Sequence, residues 1–246
     1  AVQLDGLSWP TADGSANQAL VTDGSAALSW TSVATDLDGL SDSKSEGTNF
    51  TGSLLVGHQT TGTLSNARYN TAVGLASLDA ITSGDYNVSV GYQSLTENTG
   101  GSYNNAFGYD AMKSNTTGLQ NTAVGHTSLY SNTTASGNTA YGHGSLYANT
   151  TGVSNTASGL SSMYSNTTAS YNTAIGTAAL FDANRTADTD GYNTALGYNA
   201  GNTGTNDVTT GNKNTLLGAS TAASAAAGTN QTVIGYGASG VANNSV

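Results

Sequence analysis

Three histidines, His58, His126 and His143, each follow a glycine directly and stand multiples of 17 residues apart. Imidazoles at a fixed spacing suit a metal: if that slot faced a threefold axis, every level would present three nitrogen ligands. The same slot also holds Leu75, Tyr92, Tyr109, Leu160, Thr177, Tyr198 and Tyr236, which reads as an amphipathic stripe, and no metal is expected. Asp182, Asp188 and Asp190 are close enough in sequence to act as the paired acid and base that would hydrolyse a glycan. The run Gly235-Tyr236-Gly237-Ala238-Ser239-Gly240 matches the dinucleotide fingerprint by letter, but that site needs a helix after its strand, whereas Gly235 belongs to a regular series. With no cysteine and no Gly-x-Ser-x-Gly elbow, no catalytic residue and no cofactor is expected, and the chain does not read as an enzyme.

Tyrosines gather in two further slots, Tyr69, Tyr86, Tyr103, Tyr171 and Tyr192, and Tyr130, Tyr147 and Tyr164, where they offer faces for sugars or simply good strand surface. Asn115, Asn132, Asn149 and Asn166 head Asn-x-Thr sequons whose regular spacing points to turn chemistry. Asp36, Asp38 and Asp42 miss the Ca²⁺ loop pattern and read as a solvated acidic connector.

Most of these residues are positioned by one ruler. Gly57, Gly74, Gly91, Gly108, Gly125, Gly142, Gly159, Gly176, Gly197, Gly218 and Gly235 advance in steps of 17, except for two consecutive steps of 21. A phrase such as Asn121-Thr122-Ala123-Val124-Gly125 recurs at each, and a fixed period of this kind means a solenoid. An apolar residue stands before nearly every glycine, from Val56 to Ile234, with Ser158 as the exception. A second apolar column, Leu78, Leu95, Met112, Leu129, Leu146, Met163 and Leu180, follows four residues after the glycine. The pattern predicts a short strand, a bend at a positive-φ glycine, a second short strand and Asn/Thr/Gly corners. Coils stacked about 4.8 Å apart would align the opening asparagines into an amide ladder along a rod of about 50 Å. One coil offers few apolar side chains, so three copies around an axis would bury the Ala/Val face.

Composition agrees with a rod and narrows its partners. Of 246 residues only 8% are charged, 32 are glycine, and the net charge is −10. Five cations give no footprint for nucleic acid, and no apolar run approaches the roughly 20 residues of a membrane span. The chain starts at Ala1-Val2 and stops within a phrase, and reads as a piece of something longer.

The phrase N-[ST]-[AV]-[AVIL]-G, as in Asn172-Thr173-Ala174-Ile175-Gly176 and again at Asn244-Ser245-Val246, resembles the head repeats of trimeric autotransporter adhesins and related repeats of bacteriophage tail fibres. The stretch from Trp9-Pro10 to Leu28-Ser29-Trp30 looks like the segment that precedes such repeats in phage fibres. The resemblance implies an all-β fold, a left-handed parallel β-roll assembled as a homotrimer; the 17-residue coils of this chain are longer than the usual adhesin-head unit, so the extra residues should lengthen one turn. It also implies a structural and adhesive role: a tail-fibre shaft or head on the virion that serves host attachment, with a bacterial trimeric surface adhesin as the alternative. From other classes, a glycan-degrading tailspike would need the Asp182, Asp188 and Asp190 cluster, and ice binding would favour Thr-x-Thr over Thr-Ala-Val.

Residues 1–34 read as a leader of small strands, 35–52 as a connector and 53–246 as the solenoid. Uniform coils present uniform surfaces, so a host cell-surface glycan would be read where the period breaks. Those two loops carry Phe181, Asp182, Arg185, Asp188 and Asp190, and Asn206, Asp207 and Lys213.

Overall fold

Thr122-Ala123-Val124 alternates outward, inward and outward, the signature of a strand with one buried face, and the glycine after it stops the strand. In the computed structural model this happens eleven times. The structure describes residues 3–4, 7–8, 15, 18–22, 28–32, 43–45, 53–57, 65–183 and 190–245. Two antiparallel pairs come first, β1 (Gln3–Leu4) with β2 (Leu7–Ser8) and β3 (Gln18–Thr22) with β4 (Leu28–Ser32), the latter setting Leu20 opposite Trp30. Trp9 lies outside the described residues. β5 (Ser43–Ser45) falls in the stretch read as a connector, yet it joins the main sheet.

The solenoid strands are β6 (Leu54–Val56), β7 (Thr71–Val73), β8 (Val88–Val90), β9 (Asn105–Phe107), β10 (Thr122–Val124), β11 (Thr139–Tyr141), β12 (Thr156–Ser158), β13 (Thr173–Ile175), β14 (Thr194–Leu196), β15 (Thr215–Leu217) and β16 (Thr232–Ile234). They form one parallel sheet in chain order, closed at its β6 edge by antiparallel β5. Register is strict, Thr122 opposite Thr139 and Ala123 opposite Ala140, and it survives both 21-residue steps: Thr173 meets Thr194, and Thr194 meets Thr215. The protein is therefore an all-β parallel solenoid, with no helix among the described residues.

The second strand expected at the Leu/Met column is absent. Each coil turns there instead. Leu95, Met112, Leu129, Leu146, Met163 and Leu180 all adopt φ near +50°, as does the residue two before each, such as Thr127 at +53°. Left-handed backbone costs a non-glycine residue about 1 kcal/mol, and burying the leucine or methionine side chain gains about 2 kcal/mol. These side chains are fully buried, so packing outweighs local preference. The strand-ending glycine is where the preference cannot be overridden. Gly125 has φ +138°, and a Cβ on it would lie 2.5 Å from the carbonyl oxygen of Gly142 on the next coil.

Inside, the alanine of the phrase faces the leucine or methionine of the turn, Ala123 with Leu129 and Ala157 with Met163. Near the C-terminal end the volumes exchange places: Leu216 replaces the alanine and Ala222 the leucine. In the second long step Gly201 holds the leucine slot, and Val208, brought in by the extra residues, lies against the vacated space with its N–H on the Gly201 carbonyl. Apolar bulk lost at one slot is supplied, at least in part, from another.

Asparagines supply the rest of the interior. The opening residues, from Asn70 to Asn214, are buried, and most repeat one pattern: the Asn121 N–H donates to Asn104 Oδ1 at 3.0 Å, and Asn121 Nδ2 donates to Ala135 O at 2.8 Å. The Asn70 N–H instead reaches Ser53 Oγ, and Asn172 Nδ2 turns to Ser170 O. A second column, Asn98, Asn115, Asn132, Asn149 and Asn166, is also fully buried, each amide from Asn115 onward donating to the Oδ1 one coil back. At the end of the chain the Thr232 N–H donates to the Ser245 carbonyl, the place held elsewhere by the opening asparagine. Asn244, with φ +59°, takes the corner slot, so the phrase read at Asn244-Ser245-Val246 is one residue out of register.

Candidate functional site

A three-residue strand followed by a glycine leaves alternate side chains outside. The residues two and four places into each coil therefore share the outer face of the strand, and the sixth, just past the glycine corner, adds an adjoining column that is mostly exposed. The first column runs Thr71, Val88, Asn105 and then unbroken threonine from Thr122 to Thr232. The second contains Val73, Phe107, Tyr141, Ile175, Leu196, Leu217 and Ile234, all exposed, Tyr141 to 59% and Ile234 to 65%. The third contains Leu75, Tyr92, Tyr109, His126, His143, Leu160, Tyr198 and Tyr236, again exposed. The apolar column before the glycine thus points outward, and the buried member of the phrase is the alanine beside it.

From Leu54 to Tyr236 these columns occupy 33 sequence positions, and none is Asp, Glu, Lys or Arg. All 20 charged residues of this acidic chain lie elsewhere. The face is about 50 Å long, from ten strand spacings of about 4.8 Å, and about 15 Å wide. That is about 700 Å² per copy, close to the roughly 800 Å² that each partner contributes to a stable interface.

Aromatic residues on neighbouring coils are stacked. Tyr92, Tyr109, His126 and His143 form one pile with centroids 4.9 to 5.2 Å apart, and Tyr69, Tyr86 and Tyr103 another. A half-buried pile, Tyr130, Tyr147, Tyr164 and Phe181, starts beneath Lys113, whose Nζ is 5.8 Å from the Tyr130 centroid. Burial first, then neighbouring Tyr164, Tyr130 and Asp110, raises the Tyr147 phenol above its usual value. Stacking changes what tyrosines offer a sugar. Each ring face inside a pile is covered by the next ring, so only edges and pile ends remain.

The singled-out residues fall into separate places. Phe181 ends the half-buried pile, and Asp182 accepts a hydrogen bond from Ser165 Oγ at 3.1 Å. Asp190 accepts from the Tyr192 hydroxyl, while Arg185 and Asp188 lie outside the described residues, as does His58. Asp207 Oδ1 takes the N–H groups of Thr203 and Gly204, tying residues 202–207 into a compact turn beside half-buried Asn206. Lys213 is exposed at a corner with φ +58°. No group of three metal-capable side chains occurs among the described residues. His126 and His143 are nearly parallel, 6° apart, so their in-plane lone pairs run side by side and do not converge on one ion. Asn115, Asn132, Asn149 and Asn166 have no exposed surface, which closes their sequons to modification in the folded rod. After Gly235 comes a turn and no helix, so the phosphate-binding geometry is missing.

Comparison with protein-family models, with curated proteins and with solved structures finds no match in any of the three.

Proposed function

We propose that this chain is a segment of an extended fibre, of the kind bacteriophages use to hold attachment tips away from the virion, and that it works as a homotrimer. One observation carries the reading: a rod of uniform coils bears a continuous, uncharged and largely apolar face on an otherwise acidic chain. Two copies repel through a net charge of −10 everywhere except along that face. A coil spacing of about 4.8 Å is matched along its whole length only by another stack of the same rise. A second copy of the chain is therefore the occupant that fits, and closed rotational symmetry satisfies every copy at once. The phrase shared with adhesin heads and tail fibres supports the same role. Sedimentation velocity on the 24.5 kDa chain should give a species of about three times that mass. A monomer at all accessible concentrations would overturn the proposal.

A further inference from the structure

Among the 33 positions of the uncharged face, histidine is the only residue type that gains a positive charge at mildly acidic pH. His126 and His143 occupy neighbouring coils, both exposed, with ring centroids 4.9 Å apart and planes within 6°. Beneath His126 lies the Tyr109 ring at 4.9 Å, and His126 Nδ1 is 3.4 Å from Thr127 Oγ1. Leu160 occupies the same column one coil beyond His143. The other titratable groups near the pair are Tyr92 in its column, Tyr141 beside it, Asp110 one coil below, and Tyr164, whose ring lies against Gly144 next to His143. Asp110 is buried, its Oδ2 3.7 Å from Lys113 Nζ and its charge felt by Tyr147. No carboxylate in the face itself stands ready to receive an imidazolium.

From this arrangement we infer that the histidine pair makes self-association of the rod acid-labile: copies joined through this face separate when His126 and His143 take up protons. The inference rests on the homotypic reading above. Neutral, the stacked rings add flat, weakly polar area to the contact. Protonated, they place two cations one coil spacing apart on every copy, inside an interface that supplies no counter-ion. An unpaired charge there is expensive. Tyr109 stacks on His126 from one side, while His143 is stacked by His126 and followed in its column by aliphatic Leu160. The sign distinguishes this effect from general acidity. Acid brings an acidic chain of pI about 4.2 closer to neutrality, which weakens repulsion and favours association.

The test compares the whole chain with the double variant His126→Phe/His143→Phe, which keeps the stack and cannot charge at these two coils. Both are followed by sedimentation at pH 8.0 and pH 5.5 at constant ionic strength, with circular dichroism confirming that the coils stay folded. The unaltered chain should associate at pH 8.0 and weaken by about tenfold or more at pH 5.5, because association then has to release protons or bury charged imidazoles. The variant should remain associated at both. Equal association of the unaltered chain at the two values overturns this inference and leaves the fibre reading standing, and so does parallel weakening of the variant. A monomer at pH 8.0 instead overturns the homotypic reading and this inference with it.

Discussion

Two columns of buried asparagine run through the same rod, and only one of them continues past Asn166. The opening column passes through both long steps, since the Asn193 N–H still finds Asn172 Oδ1 and the Asn214 N–H still finds Asn193 Oδ1. The second column stops because the next coil has Ala183 in its place, and Asn166 Oδ1 is left buried without a donor. At their shared acceptor the two are alike: the Ala135 carbonyl takes Nδ2 of both Asn121 and Asn132, one for each lone pair. They differ in what else depends on them. Opening asparagines receive a backbone N–H, and the second column receives only side-chain amides. A chain can drop an amide-to-amide contact and stay in register. It cannot leave a strand-entry N–H unpaired coil after coil, and this is why the extra residues are absorbed after the second column's slot in one coil and just before it in the next.

The sharpest way to break this distinction is Asn121→Leu, which strands the buried Asn138 N–H as well as deleting the amide's own bonds. It should cost about 3 kcal/mol, read as a lower urea midpoint. Asn132→Leu removes the equivalent amide from the second column, leaving Asn115 Oδ1 without its donor and Asn149 Nδ2 without one of its two acceptors, but it strands no backbone N–H; it should cost about 2 kcal/mol by the same measurement. If the two losses were equal, the backbone N–H would not be what separates the columns. Ala183→Asn should work in the opposite direction. Its Nδ2 would reach the unpaired Asn166 Oδ1 and add about 1 kcal/mol, visible as a small rise in melting temperature. A fall would mean that the coil beyond Asn166 has no room for the amide.

The period of 17, the positive-φ glycines and the opening asparagine ladder were all legible in the sequence, because each repeats with one residue type at one slot. The turn at Leu129 was not. Leucine has no preference for left-handed backbone, and only its burial opposite Ala123 explains the choice. Asn132 looked like corner chemistry, since asparagine at a turn and asparagine in an interior ladder have the same spacing. The exchange of Ala and Leu for Leu216 and Ala222 was in plain view and required comparing two columns at once. The uncharged face was partly visible too. Val, Ile and Leu before the glycine suggested burial within a coil or between chains, whereas strand alternation puts them outside and turns the alanine in. The candidate loop residues carried no shared slot, so nothing in the period could say that Asp207 would be spent on its own turn.

The sheet pairing has a kinetic consequence. Each strand from β7 onward meets its predecessor 17 or 21 residues away, so the typical pairing spans about 0.07 of the 246-residue chain, a value usual for helical bundles and far below that of β-sandwiches. Although built entirely of strands, the rod has the local topology of a fast folder. Growth by one coil at a time on an existing edge, with β5 blocking the other direction, would let it zip up during synthesis instead of waiting for distant segments to meet.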